Sequence, residues 1–263
     1  AMVLVAAIAL GSATFAWFMN NNKVTAQTSN ISAQSNAPFL KIDKTQISGT
    51  SETSIKFDDA SDDPDKALYP AQIIKSTDSD SNDPVVWSAY ASASDSATEL
   101  EGSRYKVGDL AEAVKADFAV EKSFVIGTAD EKAGSFINLK VDKVTVTAKD
   151  SSKSDLTGAI RVLLVGEDGW AVYKAGESDT AVLVNTYEDA TNAVNATAAN
   201  GVLAKRIGAG KSTSIKAYLF YDGSQANVTT KKLDALKECK LNIEFTATPQ
   251  TTQQTANAAD TEN

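Results

Sequence analysis

Two segments in the C-terminal third of the chain alternate in side-chain type, and this alternation constrains the fold more than any other feature. Leu241 to Ala247 strictly alternates apolar and polar residues, and Ile215 to Tyr221 carries an apolar residue at every second position. Successive side chains of a β-strand point to opposite faces, so the pattern is typical of strands with one buried face. The sequence therefore predicts antiparallel β-structure here.

Similar patterns predict further strands along the chain. Two early strands are expected between Lys23 and Thr53. Three more are expected from the period-two apolar positions of residues 118–126, 137–141 and 144–146. The denser apolar run Ala159 to Val165 predicts a central strand, followed through the turn at 167–169 by its hairpin partner at 170–173.

Short strands dominate this pattern, and only short helices are expected after the N-terminal segment: a small helical piece within residues 190–200, and one capped helix earlier in the chain. That helix covers Asp109 to Ala116 and is capped by Asp109. Tyr69-Pro70 and Val85 to Trp87 are interpreted as isolated apolar anchors between acidic loops. The predicted fold class is mainly β, an antiparallel two-sheet β-sandwich of jelly-roll type preceded by one N-terminal hydrophobic α-helix.

The first 19 residues contain no charged side chain. As a helix they would extend about 28 Å, close to the thickness of a bilayer's hydrocarbon core. Trp17 and Phe18 lie where an interfacial aromatic belt is expected, before the polar run that starts at Asn20. The predicted organisation is a hydrophobic helix over residues 1–22, a β-sandwich domain over 23–249 and a flexible tail over 250–263.

Two interpretations of the apolar run remain open. It can be the core of a signal peptide, with Thr14 to Ala16 as the cleavage site. Alternatively, we expect processing ahead of the run, as in prepilins, because no basic segment precedes it in this sequence. The retained helix would then be buried in a membrane or in a bundle of identical helices. Bacterial type IV pilins usually carry a Glu near the start of this helix, where this sequence has Val5-Ala6-Ala7. The difference argues against a standard bacterial pilus, whereas archaeal-type pilin helices often lack the acid.

Composition argues against several classes of function. The chain contains no His, so the usual general base and zinc ligand are missing, and we expect neither an enzyme nor a cofactor. Its single cysteine, Cys239, has no partner for an internal disulfide. A net charge of −9 argues against nucleic acid as a partner, since phosphate backbones are bound by clustered Lys and Arg.

The one candidate metal site lies in an acidic loop. Asp78, Asp80 and Asn82 are spaced like the first ligands of a calcium loop, but Asp83 stands where such loops need Gly. A solvated turn explains the same residues, so the calcium hypothesis is weak. Gly208 to Thr213 ends like a phosphate-binding loop without its first Gly, and we interpret it as a turn before a strand.

Several short motifs together resemble a family of secreted Firmicutes proteins related to the biofilm-matrix fibre protein TasA and to camelysin. They are the junction at 13–18 followed by 23–26, then Leu68-Tyr69-Pro70, Ala159-Ile160-Arg161-Val162, Tyr221-Asp222-Gly223 and Ile243-Glu244-Phe245. The resemblance implies a jelly-roll subunit that is secreted and assembles into extracellular fibres by donating an N-terminal strand to the next subunit. In that family the apolar run is removed, whereas here it is expected to be retained.

These observations favour a structural subunit of an extracellular surface filament, either pilus-like or a matrix fibre. Its expected partners are identical subunits, and the membrane before assembly. The alternative is a membrane-anchored binding module or adhesin that presents an exposed aromatic such as Trp87 or Trp170. The residues expected to form the assembly interface are Val3, Leu4, Val5, Ile8, Leu10, Phe15, Trp17, Phe18, Val24, Ala26 and Ile31.

Overall fold

The structure is a computed structural model, and it describes residues 23–27, 32–34, 40–56, 68–76, 83–88, 106–131, 134–148, 157–184, 201–223 and 239–250. The predicted N-terminal helix, the helical piece predicted within 190–200 and residues 251–263 of the predicted tail lie outside these residues, whereas Gln250, the first residue of that predicted tail, ends the last strand. The described strands are β1 (Lys23–Gln27), β2 (Ser32–Gln34), β3 (Leu40–Asp43), β4 (Ser54–Lys56), β5 (Ala71–Lys75), β6 (Pro84–Ser88), β7 (Lys106–Gly108), β8 (Val120–Thr128), β9 (Ser135–Ala148), β10 (Ile160–Gly166), β11 (Gly169–Ala175), β12 (Ala181–Leu183), β13 (Ala204–Ile207), β14 (Ser212–Tyr221) and β15 (Cys239–Gln250).

The strands form three sheets, and the described protein is mainly β, as predicted. The first sheet has the order β13-β9-β15-β1-β2, with β4 also paired to β1. The second sheet has the order β12-β11-β10-β14-β8-β3, and the third has the order β5-β6-β7. Neighbouring strands are antiparallel except β1 and β4, which are parallel. The finer jelly-roll assignment stays a prediction.

The first and second sheets share the larger hydrophobic core. Strand β15 contributes its alternating residues Leu241, Ile243, Phe245 and Ala247 from the first sheet. The second sheet contributes alternating residues of β8, β10 and β14, so the rings of Phe124 and Phe245 meet edge to face with centroids 5.6 Å apart. Burial of these faces is what the period-two alternation predicted.

Residues 135–148 form one long strand, where the sequence predicted two. Lys143 pairs with Glu244 but Val141 pairs with Phe245, so Asp142 is an extra residue on β9. Such a β-bulge shifts the alternation by one position, which keeps both Val141 and Val144 buried. The apolar alternation changes phase at this bulge, and this change of phase in the sequence predicted a strand boundary. The structure has one continuous strand there.

A second irregularity corrects the predicted burial at the start of this strand. Between Ile137 and Lys140 the register with β15 shifts again, and Asn138 there has a positive φ of 56°. Phe136 is consequently buried, while Ile137 is only half-buried. The period-two pattern had assigned Ile137 to the core face.

The third sheet was not predicted. The sequence indicated two sheets, with Val85 to Trp87 as an isolated apolar anchor, whereas these residues belong to β6 of the third sheet. Its strands β5 and β6, together with helix α1 (Leu110–Lys115), cover the outer face of the second sheet. Ile73 and Val86 of the third sheet and Ala113 of the helix pack in one cluster with Trp170 and Phe220. Strand β10 is thus buried on both faces, as its dense apolar run predicted.

Helix α1 begins as predicted. Asp109 is its N-cap, and the carboxylate accepts a hydrogen bond of 2.9 Å from the Glu112 amide. Among the described residues, no helix is long and apolar enough to cross a bilayer.

Candidate assembly site

The candidate assembly site is the edge of β15 together with β1, the first described segment of the chain. The two strands pair antiparallel from Lys23 opposite Thr246 to Gln27 opposite Asn242. In this register Val24 lies opposite Phe245 and Ala26 opposite Ile243. The N-terminal segment therefore adds to the first sheet directly beside the residues of β15 that enter the main core.

On its other side, β1 contacts two short strands. Ala26 pairs antiparallel with Ala33 of β2, and Thr25 pairs parallel with Ser54 of β4. Strand β4 follows a tight segment that starts on the second sheet, where the Ile42 amide donates to the Glu52 carbonyl over 2.9 Å. Residues 40–56 thus connect the edge of the second sheet to the side of β1 that faces away from β15.

Hydrogen bonds hold this connecting segment in shape. The Ser51 hydroxyl donates to the Asp43 carboxylate over 2.8 Å, and the Thr45 amide donates to the same group over 3.1 Å. Partial burial opposes ionisation of Asp43, but these hydrogen bonds outweigh it and lower the pKa of this carboxyl below its usual value. Asp43 is therefore ionised at neutral pH and fixes the turn that leads to β4.

Only two of the predicted interface residues belong to the described part of the chain. Val24 and Ala26 are both in β1. The other nine lie outside the described residues: Val3, Leu4, Val5, Ile8, Leu10, Phe15, Trp17, Phe18 and Ile31. The structure therefore brings Val24 and Ala26 of the predicted interface to β15 and does not describe the other nine residues.

The calcium candidates Asp78, Asp80 and Asn82 also lie outside the described residues. Within the described ranges, no group of three or more His, Cys, Asp or Glu side chains could hold a metal ion. An open groove of about 430 Å³ lies between β6, β7 and the start of α1. Its charged lining consists of Asp83, Lys106, Asp109 and Glu112.

A buried ion pair is the feature that sequence reasoning missed. Arg161 of β10 and Asp222, which follows β14, are joined over 2.8 Å with side chains only 4% and 3% exposed. The other terminal nitrogen of Arg161 donates to the carbonyls of Gly158 and Ile160 over 2.6 and 2.9 Å. An arginine within the apolar run Ala159 to Val165 was the available signal, since a buried charge needs a partner.

The ion pair lies where three of the motifs in the sequence resemblance meet. Ala159 accepts a hydrogen bond from the Asp222 amide over 2.9 Å, and Ala71 accepts one from the Gly223 amide over 3.4 Å. Ala71 directly follows the Leu68-Tyr69-Pro70 motif and starts β5 of the third sheet. The hydrogen bonds of these residues thus join the second sheet to the third.

Two buried tyrosines have raised pKa values. Burial raises the pKa of Tyr173, whose hydroxyl donates to the Gly201 carbonyl over 3.0 Å. Burial, reinforced by the nearby Glu121 carboxylate, raises the pKa of Tyr218 to about 12. Both phenols therefore remain protonated near neutral pH and act as hydrogen-bond donors within the packed sheets.

Comparisons with protein-family models, with curated proteins and with solved structures found no match to this chain.

Proposed function

We propose that this chain is a structural subunit of an extracellular surface filament and that it assembles through its N-terminal segment. The observation that carries the proposal is the pairing of β1 with β15 next to the main core. A strand added to a sheet edge gains backbone hydrogen bonds along its length, and this is a recurrent means of joining subunits. The proposed location is the cell surface.

The unused part of the β15 edge supports the same proposal. Strand β1 pairs with residues 242–246, and no described strand occupies that side of Ala247 to Gln250. A strand added along Ala247 to Gln250 would gain backbone hydrogen bonds there and extend the sheet to the end of β15.

Two modes of assembly follow from this arrangement. In strand donation, the β1 segment of one subunit pairs with β15 of the next, as the resemblance to TasA-related proteins implies. In helix bundling, β1 stays with its own β15 and the apolar runs of many subunits pack together. The resemblance, the jelly-roll assignment and the choice of mode all belong to the proposal.

A cysteine-pairing experiment distinguishes the two modes. Thr25 and Glu244 are opposite each other in the β1–β15 register. We would prepare Thr25→Cys and Glu244→Cys as separate variants, each with Cys239→Ser, mix them under assembly conditions and oxidise. A covalent dimer of the two variants is expected for strand donation, whereas helix bundling predicts a disulfide only when both cysteines are in one chain.

The matched control combines Thr25→Cys with Asn242→Cys, two residues out of register. It should form little disulfide in either arrangement. Electron microscopy of the same material tests the function itself. Monomers in every detergent-free preparation, with no filament on the native surface, would refute the proposal.

A surface binding module is the second candidate, and one observation favours it. Tyr69 is 55% exposed, and its ring lies 5.6 Å from that of the half-buried Phe118. Tyrosine is enriched at binding interfaces because its ring is apolar and its hydroxyl polar, so Tyr69 is a candidate contact for a ligand. Trp170 is buried in the cluster between the second and third sheets, and Trp87 is half-buried, so neither Trp170 nor Trp87 forms an open platform. Glycan-array binding that disappears in Tyr69→Ala would favour this function, and a blank array would count against it.

A further inference from the structure

The hairpin turn between β10 and β11 lies against β13, an outer strand of the first sheet. Gly166 pairs with Gly169, so the turn consists of Glu167 and Asp168. The Asp168 amide donates to the Leu203 carbonyl over 3.1 Å. The Asp168 carboxylate accepts from the Lys205 amide over 2.6 Å, and its second oxygen lies 3.3 Å from the Lys205 ammonium.

One more contact extends this arrangement to the residues just before β13. The Tyr173 hydroxyl of β11 donates to the Gly201 carbonyl. The hairpin therefore satisfies backbone groups of residues 201, 203 and 205, which alternate along the chain. On the other side, Ala204, Arg206 and Ile207 pair with β9. Close approach is possible because Gly166 has no side chain, since a Cβ there would overlap the Leu203 carbonyl.

These contacts matter because β13 ends the first sheet in the described part of the chain. An outer strand presents free N–H and C=O groups that can pair with another chain. A protein that polymerises by strand addition must leave one edge available and close the others. The Asp168 carboxylate occupies the Lys205 amide within β13, and the hairpin contacts Gly201 and Leu203 just before this strand, on the side of the sheet order away from β1.

We propose that Asp168 blocks strand pairing between β13 and a second copy of this chain, so that subunits add only on the β15 side. The closed β13 edge stands on the contacts above, and only growth at β15 rests on the proposed function. Lys205 and Arg206 are exposed and add charge repulsion between two copies of this edge. Asp168 acts by accepting the hydrogen bond of the Lys205 amide, which is then no longer available to a second strand.

Asp168→Ala tests this directly, with Glu167→Ala as the control from the same turn. A charge-assisted hydrogen bond is lost only in the first variant, so the Lys205 amide should exchange with solvent about tenfold faster or more. Sedimentation is measured on the full chain at about 1 M salt, where the Debye length is about 3 Å and the Lys205 and Arg206 repulsion is screened. The expected result is concentration-dependent association of Asp168→Ala beyond that of wild type and of Glu167→Ala at the same protein concentration.

Filaments of the Asp168→Ala variant, where filaments form, should also be thickened by lateral pairing. If the wild type forms no filament, the proposed function fails while the sedimentation result still decides the role of Asp168. If Asp168→Ala does not fold, Asp168→Ser replaces it, because its shorter side chain keeps a polar turn residue but cannot reach the Lys205 amide. Faster exchange of the Lys205 amide in the Asp168 variant, with no more association than wild type shows, would overturn the proposal. Unchanged exchange of that amide would also overturn it.

Discussion

Removing the carboxylate of Asp222 should destabilise the fold far more than removing any exposed charge. Arg161 would keep its two carbonyl contacts, but the nitrogen that bonds Asp222 would lose its ion-pair partner. Its Nε already has no hydrogen-bond partner among the described residues. Leaving one charge of a buried pair uncompensated costs about 3–5 kcal/mol, so Asp222→Ala should lower the free energy of unfolding by that amount.

Urea unfolding of the full chain, followed by circular dichroism, measures this change as a shift of the midpoint. In a thermal scan, a loss of 3–5 kcal/mol corresponds to a fall in Tm of about 6–20 °C for a chain of this size class. Asp222→Asn, which keeps an acceptor oxygen for Arg161, should lose less. Replacing both partners with apolar residues, as in Arg161→Met with Asp222→Leu, should restore part of the loss.

The matched control is Lys216→Gln. Lys216 forms an ion pair of 3.4 Å with Glu121, but the two side chains are 53% and 30% exposed. Such a pair contributes about 0–1 kcal/mol because water and salt screen it. If Asp222→Ala changed the free energy of unfolding by no more than this control does, the assignment of a buried, uncompensated charge would be wrong.

Three smaller predictions follow from other contacts. Gly166→Ala should destabilise the protein by more than about 1 kcal/mol because its Cβ would overlap the Leu203 carbonyl, whereas Gly49→Ala, with open space around it, should change the urea midpoint little. Asp109→Ala removes the N-cap of α1 and should cost about 0.5–2 kcal/mol in the same assay; a midpoint identical to wild type would refute the capping role. The hydrogen bond from the Lys205 amide lowers the pKa of Asp168, so its stabilising contribution is complete well above about pH 4 and is lost as the pH falls through its folded-state pKa. The difference in urea midpoint between wild type and Asp168→Asn should therefore shrink in acid, and a pH-independent difference would contradict this reasoning.

Local sequence patterns predicted the strands that are buried on a regular face. Strands β14 and β15 were expected from their alternation, and β10 with its hairpin partner from a dense apolar run and a turn. The N-cap of α1 was also predicted, because capping depends on residues only three positions apart. These elements could be predicted because the information that specifies them is local.

Predictions failed where the local pattern was interrupted or too short. The bulge at Asp142 changed the phase of β9 and imitated a strand boundary. Strands β5 and β6 contain five residues each, and their acidic surroundings looked like loop sequence. Their burial comes from packing on a sheet formed by residues far away in the chain, which a sequence window does not contain.

The candidate assembly site divides in the same way. The sequence by itself determined that the N-terminal segment is apolar and uncharged up to Met19, and that Val24 and Ala26 alternate with polar residues in a strand-like pattern. Only the tertiary structure decided that this strand lies beside Phe245 and Ile243, because pairing between residues more than 200 positions apart depends on the whole core being folded. The joining of Arg161 to Asp222 and of Asp168 to the β13 edge was likewise decided by tertiary contacts, since each partner is an ordinary residue until the sheets bring the two together.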